Sequence, residues 1–204
     1  NIGADTFISK ILASKLKSKY IFVSQNFRFG KKRIGNTNTL KIHEKKYSYK
    51  TIITFPYQKN KKIISSSLIR KNISEGKVVE VQKLLGRPWV VKGKVVKGEQ
   101  RGRKIGFPTC NIRWNSYTLP KLGVYWVQVE SKNFKKKGIA NIGYRPTFNG
   151  KTLLLEVNIF GINANLYKKI LKVSFIKFIR PEKKFKNINE LKNQIKKDIA
   201  KIKK

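Results

Sequence analysis

The residues best placed to do chemistry lie between Gly98 and Asn111, in the run Gly98-Glu-Gln-Arg-Gly-Arg-Lys-Ile-Gly-Phe-Pro-Thr-Cys-Asn111. Three glycines, Gly98, Gly102 and Gly106, alternate with Arg101, Arg103 and Lys104. Glycine lets backbone N–H groups approach an anion, and the cations neutralise its charge. After Pro108 the chain reads as extended, which puts Thr109 and Asn111 on one face. A hydroxyl and an amide carbonyl beside a phosphate loop suit Mg2+, a hard cation that takes oxygen ligands. The same residues also fit a basic surface turn between two strands, because a Gly-rich basic loop alone is a weak signal. A second candidate is the serine cluster Ile64-Ser-Ser-Ser-Leu-Ile-Arg70. Serines at a helix start with Arg70 one turn along could hold a phosphate, or could simply cap the helix.

These residues need elements to position them. Asp5 can cap a helix over 6–18, with Phe7, Ile8, Ile11, Leu12 and Leu16 on one stripe. Tyr20–Val23 reads as a short buried strand. Asn26-Phe-Arg-Phe-Gly30 and the basic turn Lys31–Arg33 follow it. Gly35–Lys45 reads as a helix and Ser48–Phe55 as a strand. Helix, strand, helix, strand predicts part of a parallel α/β sheet, with too few strands to complete one. A helix over 78–85 ends at Gly86-Arg-Pro88, a stop signal, and the domain boundary is placed there. Residues 1–85 then form an incomplete α/β domain and 86–204 a second domain.

The second domain has a different texture. Val90–Val96, Gly123–Val129, Gly138–Ile142, Leu153–Phe160 and Ile170–Phe178 are strand candidates separated by Gly, Asn or Pro turns. With the extended tail at 108–111 they make six strands, a mainly β domain built as a small antiparallel barrel. Asn187 and Glu190 have capping-box spacing, and Ile188, Leu191, Ile195, Ile199 and Ile202 follow at helical steps. The last element is therefore a helix with one apolar face to lay against the barrel.

Composition bounds the function classes. The 204 residues are 40% hydrophobic, which supports a packed core. No apolar run approaches the roughly 18 residues of a membrane span, and no membrane partner is expected. The single Cys rules out an internal disulfide and fits a reducing cytoplasm. A start at Asn1 and the lack of any Met point to a piece of a longer chain. The net charge of +38 suggests nucleic acid. The lysines, however, are spread along the chain with abundant Ile and Asn, and no zinc-finger spacing, RNP-like motif or basic heptad appears. No specific nucleic-acid partner is expected, although a non-catalytic basic β-barrel that binds nucleic acid is the competing reading. The oligomeric state is left open.

Taken together, four segments carry a resemblance. Gly106-Phe-Pro-Thr-Cys-Asn111 resembles the GFPTAN signature of riboflavin kinases, and Asn141-Ile-Gly-Tyr-Arg-Pro-Thr-Phe148 resembles their NIGxRPTF segment. Leu155-Glu-Val157 with Asn165-Leu-Tyr167 is similar to LEVH…DLYG, and Ile179-Arg-Pro-Glu-Lys-Lys-Phe185 to LRxExKF. Upstream, Asn26–Gly30 and Ile64–Arg70 are similar to the later half of the FMN adenylyltransferase domain in the bacterial bifunctional enzymes. The resemblance thus covers nearly the whole chain. The HxGH-like motif of that domain is missing, and His43, the one histidine, reads as an ordinary helix or loop residue. Cys110 stands where the family has a small Ala, and Gly161–Asn165 departs from the usual acidic turn.

The resemblance implies a riboflavin kinase barrel preceded by a Rossmann-like nucleotidyltransferase remnant. It implies Mg2+-dependent transfer from ATP to riboflavin, giving FMN, in the cytoplasm. The parent protein would also adenylylate FMN to FAD. Glu156 becomes the general base. Thr109 and Asn111 hold Mg2+, facing Glu156 across the barrel mouth. Gly98, Gly102, Arg103, Lys104, Gly106 and Pro108 cover the ATP. Arg180, Glu182 and Phe185 border the flavin. Asn26, Phe27, Ser65, Ser66 and Arg70 belong to the adenylyltransferase remnant. From spacing alone, Glu156 reads as a salt-bridge partner, since 48 cations accompany only 10 acids, and it is the resemblance that reverses this. Phe185 could likewise be a staple to the last helix.

Overall fold

The computed structural model describes residues 2–59, 62–98, 101–113, 117–147, 150–162 and 164–203. Within those limits the chain forms two compact units, 1–65 and 66–204.

The first unit opens with α1 (Ala4–Thr6), which runs directly into a π-helix, Phe7–Lys15. The sequence predicts a regular helix capped by Asp5. Instead Gly3 occupies the cap and Asp5 makes no cap hydrogen bond. The wider π turns, with Leu16 N–H donating to Ile11 O at 2.9 Å, rotate Leu16 away from the stripe and leave it exposed. Ile8 is fully buried. β1 (Tyr20–Ser24) and a later strand, β4 (Lys50–Thr54), pair in parallel, as predicted from the helix–strand alternation. Only Val23 of β1 is buried; Tyr20 and Phe22 face outward.

Between them lie β2 (Arg28–Phe29), a 3-10 turn at Lys31–Arg33, β3 (Gly35–Asn36), α2 (Thr37–Ile42) and α3 (Glu44–Tyr47). The single helix expected over 35–45 is two helices, because His43 breaks it. Asn36 and Thr39 form a reciprocal capping box on α2. Phe29 sits at the centre of the small core, 5.4 Å from Phe7 and stacked on Phe27 at 5.5 Å. A short hairpin of β5 (Gln58–Lys59) and β6 (Lys62–Ile63) closes the unit.

The second unit starts with α4 (Ser66–Ser74) and α5 (Val78–Leu85), the latter ended by Gly86 at φ 71°. The barrel strands are β7 (Trp89–Val96), β8 (Cys110–Arg113), β9 (Gly123–Ser131), β10 (Phe134–Thr147), β11 (Gly150–Ile159) and β12 (Ile170–Arg180). A short helix, α6 (Arg101–Lys104), interrupts the loop between β7 and β8. The six strands close in the order β10-β11-β8-β7-β12-β9, with antiparallel pairing throughout. Closure leaves no unpaired edge.

The barrel interior is apolar: Val91, Ile112, Tyr125, Val127, Ile142, Leu155, Leu171 and Phe175 are buried in one cluster. Ile73, Val78 and Val81 join that cluster, so α4 and α5 complete the barrel core. The last helix, α7 (Ile188–Lys203), starts as predicted, with Glu190 N–H donating to Asn187 Oδ1 at 2.9 Å. The Glu190 carboxylate accepts from Lys186 N–H rather than from the cap residue's own amide. Ile199 and Ile202 pack with Val124, Trp126, Ile139, Phe160 and Ile179 on the outer wall of the barrel.

Candidate functional site

Strand alternation sorts the barrel residues into two sets. Ile112, Leu155 and Ile142 point into the core. Asn111, Glu156 and Asn141, one position away on β8, β11 and β10, therefore stand on the outer face. The register lines them up, with Glu156 opposite Asn111 on one side and Asn141 on the other. The row continues round the barrel through Val96 beside Asn111, then Val124 beside Asn141, and Arg180 beside Val124. All six residues line one hollow of about 1090 Å³. That is just above the roughly 300–1,000 Å³ typical of ligand sites. The hollow also runs under the loop after β7 and against the first turns of α7. The carboxylate thus lies on the barrel's outer wall, not across its open mouth.

The loop that supplies one lip is shaped by close approach. A Cβ on Gly98 would collide with the Asn111 amide, and one on Gly102 would collide with Phe107 O and come within 3.1 Å of Thr109 Oγ1. Gly102 is therefore the residue that lets α6 fold down over Thr109. Gly106 is needed for its backbone, at φ +86°, and lies outside the lining. Arg103, Pro108 and Thr109 line the hollow; the side chains of Arg101 and Lys104 lie outside the described set. Asn158, buried on β11, donates from Nδ2 to Pro108 O at 2.6 Å and ties the end of the loop to the strand that carries Glu156. Asn111 is 8% exposed, and its Oδ1 has no hydrogen-bond partner among the described residues. A buried carbonyl oxygen without a partner is costly. Its position beside Thr109 is where a hard cation would satisfy it.

The opposite lip is the segment after β12. Arg180 Nε donates to Asp198 Oδ2 at 2.8 Å, and its Nη1 donates to Pro181 O at 2.9 Å. The guanidinium carbon lies 5.8 Å from the centre of the Phe185 ring. Asn141 Nδ2 donates to Glu182 Oε1 at 3.4 Å. A Cβ on Gly143 would overlap the Glu182 carboxylate, so this glycine leaves the room that the side chain occupies. Ile188, Leu191 and Ile195 of α7, expected against the barrel, line the hollow instead, because the hollow separates that part of the helix from the wall.

Cys110 packs against the barrel core, and burial pushes its thiol up to about 11. It is unsuited to nucleophilic work, since the thiolate is the reactive form. Of the adenylyltransferase candidates, Asn26 accepts a hydrogen bond from Ser24 Oγ at 2.9 Å, and Phe27 packs on Phe29. These two and Ser65 lie in the first unit; Ser66 and Arg70, on α4, lie in the second. His43 sits at the junction of α2 and α3 with Nδ1 2.9 Å from Thr39 O, an ordinary helix-end contact. Sequence reading missed Asn141 in any specific role, and also Asn158 and Asp198. The first lay within a quoted motif, but the other two have meaning only through partners 50 and 18 residues away.

The riboflavin kinase family model matches residues 85–204, and the FAD synthetase model matches residues 1–68. Three bifunctional riboflavin kinase/FMN adenylyltransferases are similar along the chain. That of Buchnera aphidicola (subsp. Schizaphis graminum) is 44% identical and aligns with 100% of this chain and 67% of its own length. That of Haemophilus influenzae is 38% identical, with 96% and 64% covered. That of Escherichia coli K12 is 36% identical, with 97% and 63% covered. The chain therefore spans about two thirds of these relatives. A solved structure described as a macrolide-efflux protein from Streptococcus pneumoniae superimposes with a TM-score of 0.82 at 34% identity, covering 98% of this chain and 64% of that one.

Proposed function

The chain belongs to the riboflavin kinase family, and we propose that residues 86–204 carry an ATP:riboflavin 5′-phosphotransferase that yields FMN and ADP. The observation that carries this reading is the row Asn111–Glu156–Asn141 in one hollow, with an unsatisfied oxygen on Asn111. Glu156 takes the proton of the ribityl 5′-hydroxyl as its oxygen forms a bond to the γ-phosphorus. The bond from that phosphorus to the β–γ bridging oxygen breaks, and ADP leaves. Such a transfer depends mostly on positioning and electrostatics. Arg103 and the backbone of Gly98 and Gly102 lie on the nucleotide side, with Pro108 setting the turn. Arg180, Glu182 and Phe185 face the flavin side.

Thr109 Oγ1 and Asn111 Oδ1 would hold Mg2+, which when bound offsets phosphate charge. Cys110 takes no part. The acids in the hollow and the family membership disfavour the reading as a nucleic-acid barrel, and a cytoplasmic setting fits the single thiol. Among the described residues, no helix is long and apolar enough to cross a membrane.

The relatives named bifunctional also suggest that a longer chain would adenylylate FMN. We assign no adenylyl transfer to these 204 residues, which hold no HxGH-like motif. Asn26, Phe27 and Ser65, in the first unit, are proposed as part of a nucleotide site that such a motif would complete; Ser66 and Arg70, on α4 of the second unit, are given no role in it.

The test is FMN formation from riboflavin and ATP with Mg2+. In Glu156→Gln, kcat is expected to fall by about 10²–10⁴, the usual contribution of a positioned base, while flavin fluorescence quenching persists. Undiminished turnover would remove Glu156 from this role.

A further inference from the structure

A carboxylate buried to 1% exposure is costly to keep unless something specific satisfies it, and an apolar residue would often serve stability as well. Asp198 is such a carboxylate. It stands on α7 where the helix changes duty, after Ile188, Leu191 and Ile195, which line the hollow, and before Ile199 and Ile202, which pack on the barrel. One oxygen accepts from Arg180 Nε at 2.8 Å and the other from Gln194 Nε2 at 2.9 Å. Because a guanidinium is planar and rigid, holding its Nε sets the plane of the whole group. That plane in turn directs Nη1 to Pro181 O and lies 5.8 Å from the Phe185 ring.

From this chain of contacts we propose that Asp198 is a positioning residue for the flavin side of the site. It orients Arg180, and through Arg180 the segment 180–185 that brings Glu182 and Phe185 into the hollow. This inference rests on the kinase reading above. Without the carboxylate, the Arg180 side chain is free to pivot and Phe185 loses one of the two cations over its ring, Lys183 at 5.8 Å keeping the other. The nucleotide lip, built from β7, α6 and β8, is untouched.

The experiment uses the 204-residue chain and measures riboflavin binding by fluorescence quenching, with KM for riboflavin and for ATP. In Asp198→Ala the riboflavin Kd and KM are expected to rise about tenfold, the scale of a lost hydrogen bond to a charged group. KM for ATP should stay within about twofold, since the two Asp198 oxygens bond to Arg180 and Gln194, on the opposite side of the hollow from the nucleotide lip. Asp198→Asn, which keeps the shape and an acceptor oxygen, recovers part of the loss. Arg180→Lys, which keeps the charge but not the planar fork, repeats the riboflavin effect and serves if the Asp198 variants fail to fold. Ile202→Ala removes a buried α7 side chain away from the hollow. It should lower Tm and leave the riboflavin KM unchanged. Riboflavin constants unmoved in Asp198→Ala and Arg180→Lys, or raised equally by Ile202→Ala, overturn the proposal. Wild-type protein that neither quenches flavin fluorescence nor forms FMN sinks the kinase reading itself.

Discussion

Glu156 owes its place to the two residues beside it. Leu155 and Val157 are buried in the barrel, and alternation turns the carboxylate outward between them. Asn111 is held the same way next to Ile112, but with an oxygen that nothing among the described residues satisfies. Asn111→Leu is therefore expected to raise Tm slightly while FMN formation collapses, since an apolar residue removes the unsatisfied group along with the proposed metal ligand. Lower Tm with intact turnover would contradict this. Cys110 shows the opposite economy. Its thiol is favoured in the neutral form, so its contribution to stability is present at neutral pH and is lost as pH rises from the ordinary thiol value toward about 11. At pH 8 the thiolate is about one part in a thousand, from the difference between pH and pKa. Alkylation by iodoacetamide should be slow in the native protein and accelerate in denaturant.

Among the elements, β11 and the loop after β7 act as one piece. The Asn158 hydrogen bond to Pro108 O couples the strand that bears Glu156 to the turn that bears Thr109. Asn158→Ala orphans that carbonyl, and kcat/KM for ATP is expected to fall about tenfold, corresponding to one lost buried hydrogen bond. Asn158→His, whose ring N–H can still donate, should restore part of it. β10 makes a parallel contribution to the other lip, where Gly143 leaves space for Glu182 and Asn141 bonds to it. Gly143→Ala forces Glu182 out of that space, so steady-state assays should show a raised riboflavin KM.

For the whole molecule, the compact unit that holds the barrel begins at Ser66. Ile73, Val78 and Val81 are almost fully buried in the barrel core, ahead of Gly86. Cutting at Gly86 exposes the surface they cover, at a cost on the order of 5 kcal/mol for three apolar side chains. Urea unfolding should therefore give a clearly lower midpoint for 86–204 than for 66–204, and equal midpoints would refute the assignment of these helices to the barrel's fold. We propose that the chemistry belongs to 86–204 and the stability to 66–204. The first unit presents Tyr20 and Phe22 on the open face of a two-stranded sheet. Limited proteolysis is expected to degrade it first and to leave a core starting near Ser66.

Much of this could be read from the residues alone, because it follows from local periodicity. Alternation of period two marked the strands and turned Glu156 away from the core, and the ordered motifs contain several of the residues that line the hollow. Helical spacing located α5 and α7 within a residue or two. Local signals did not disclose the π-helix over Phe7–Lys15. Nor could they tell that Asn141 stands beside Glu156 or that Asp198 holds Arg180. Those pairings depend on strand register and helix docking, which are set by the packing of distant segments and leave no trace in the spacing along one chain.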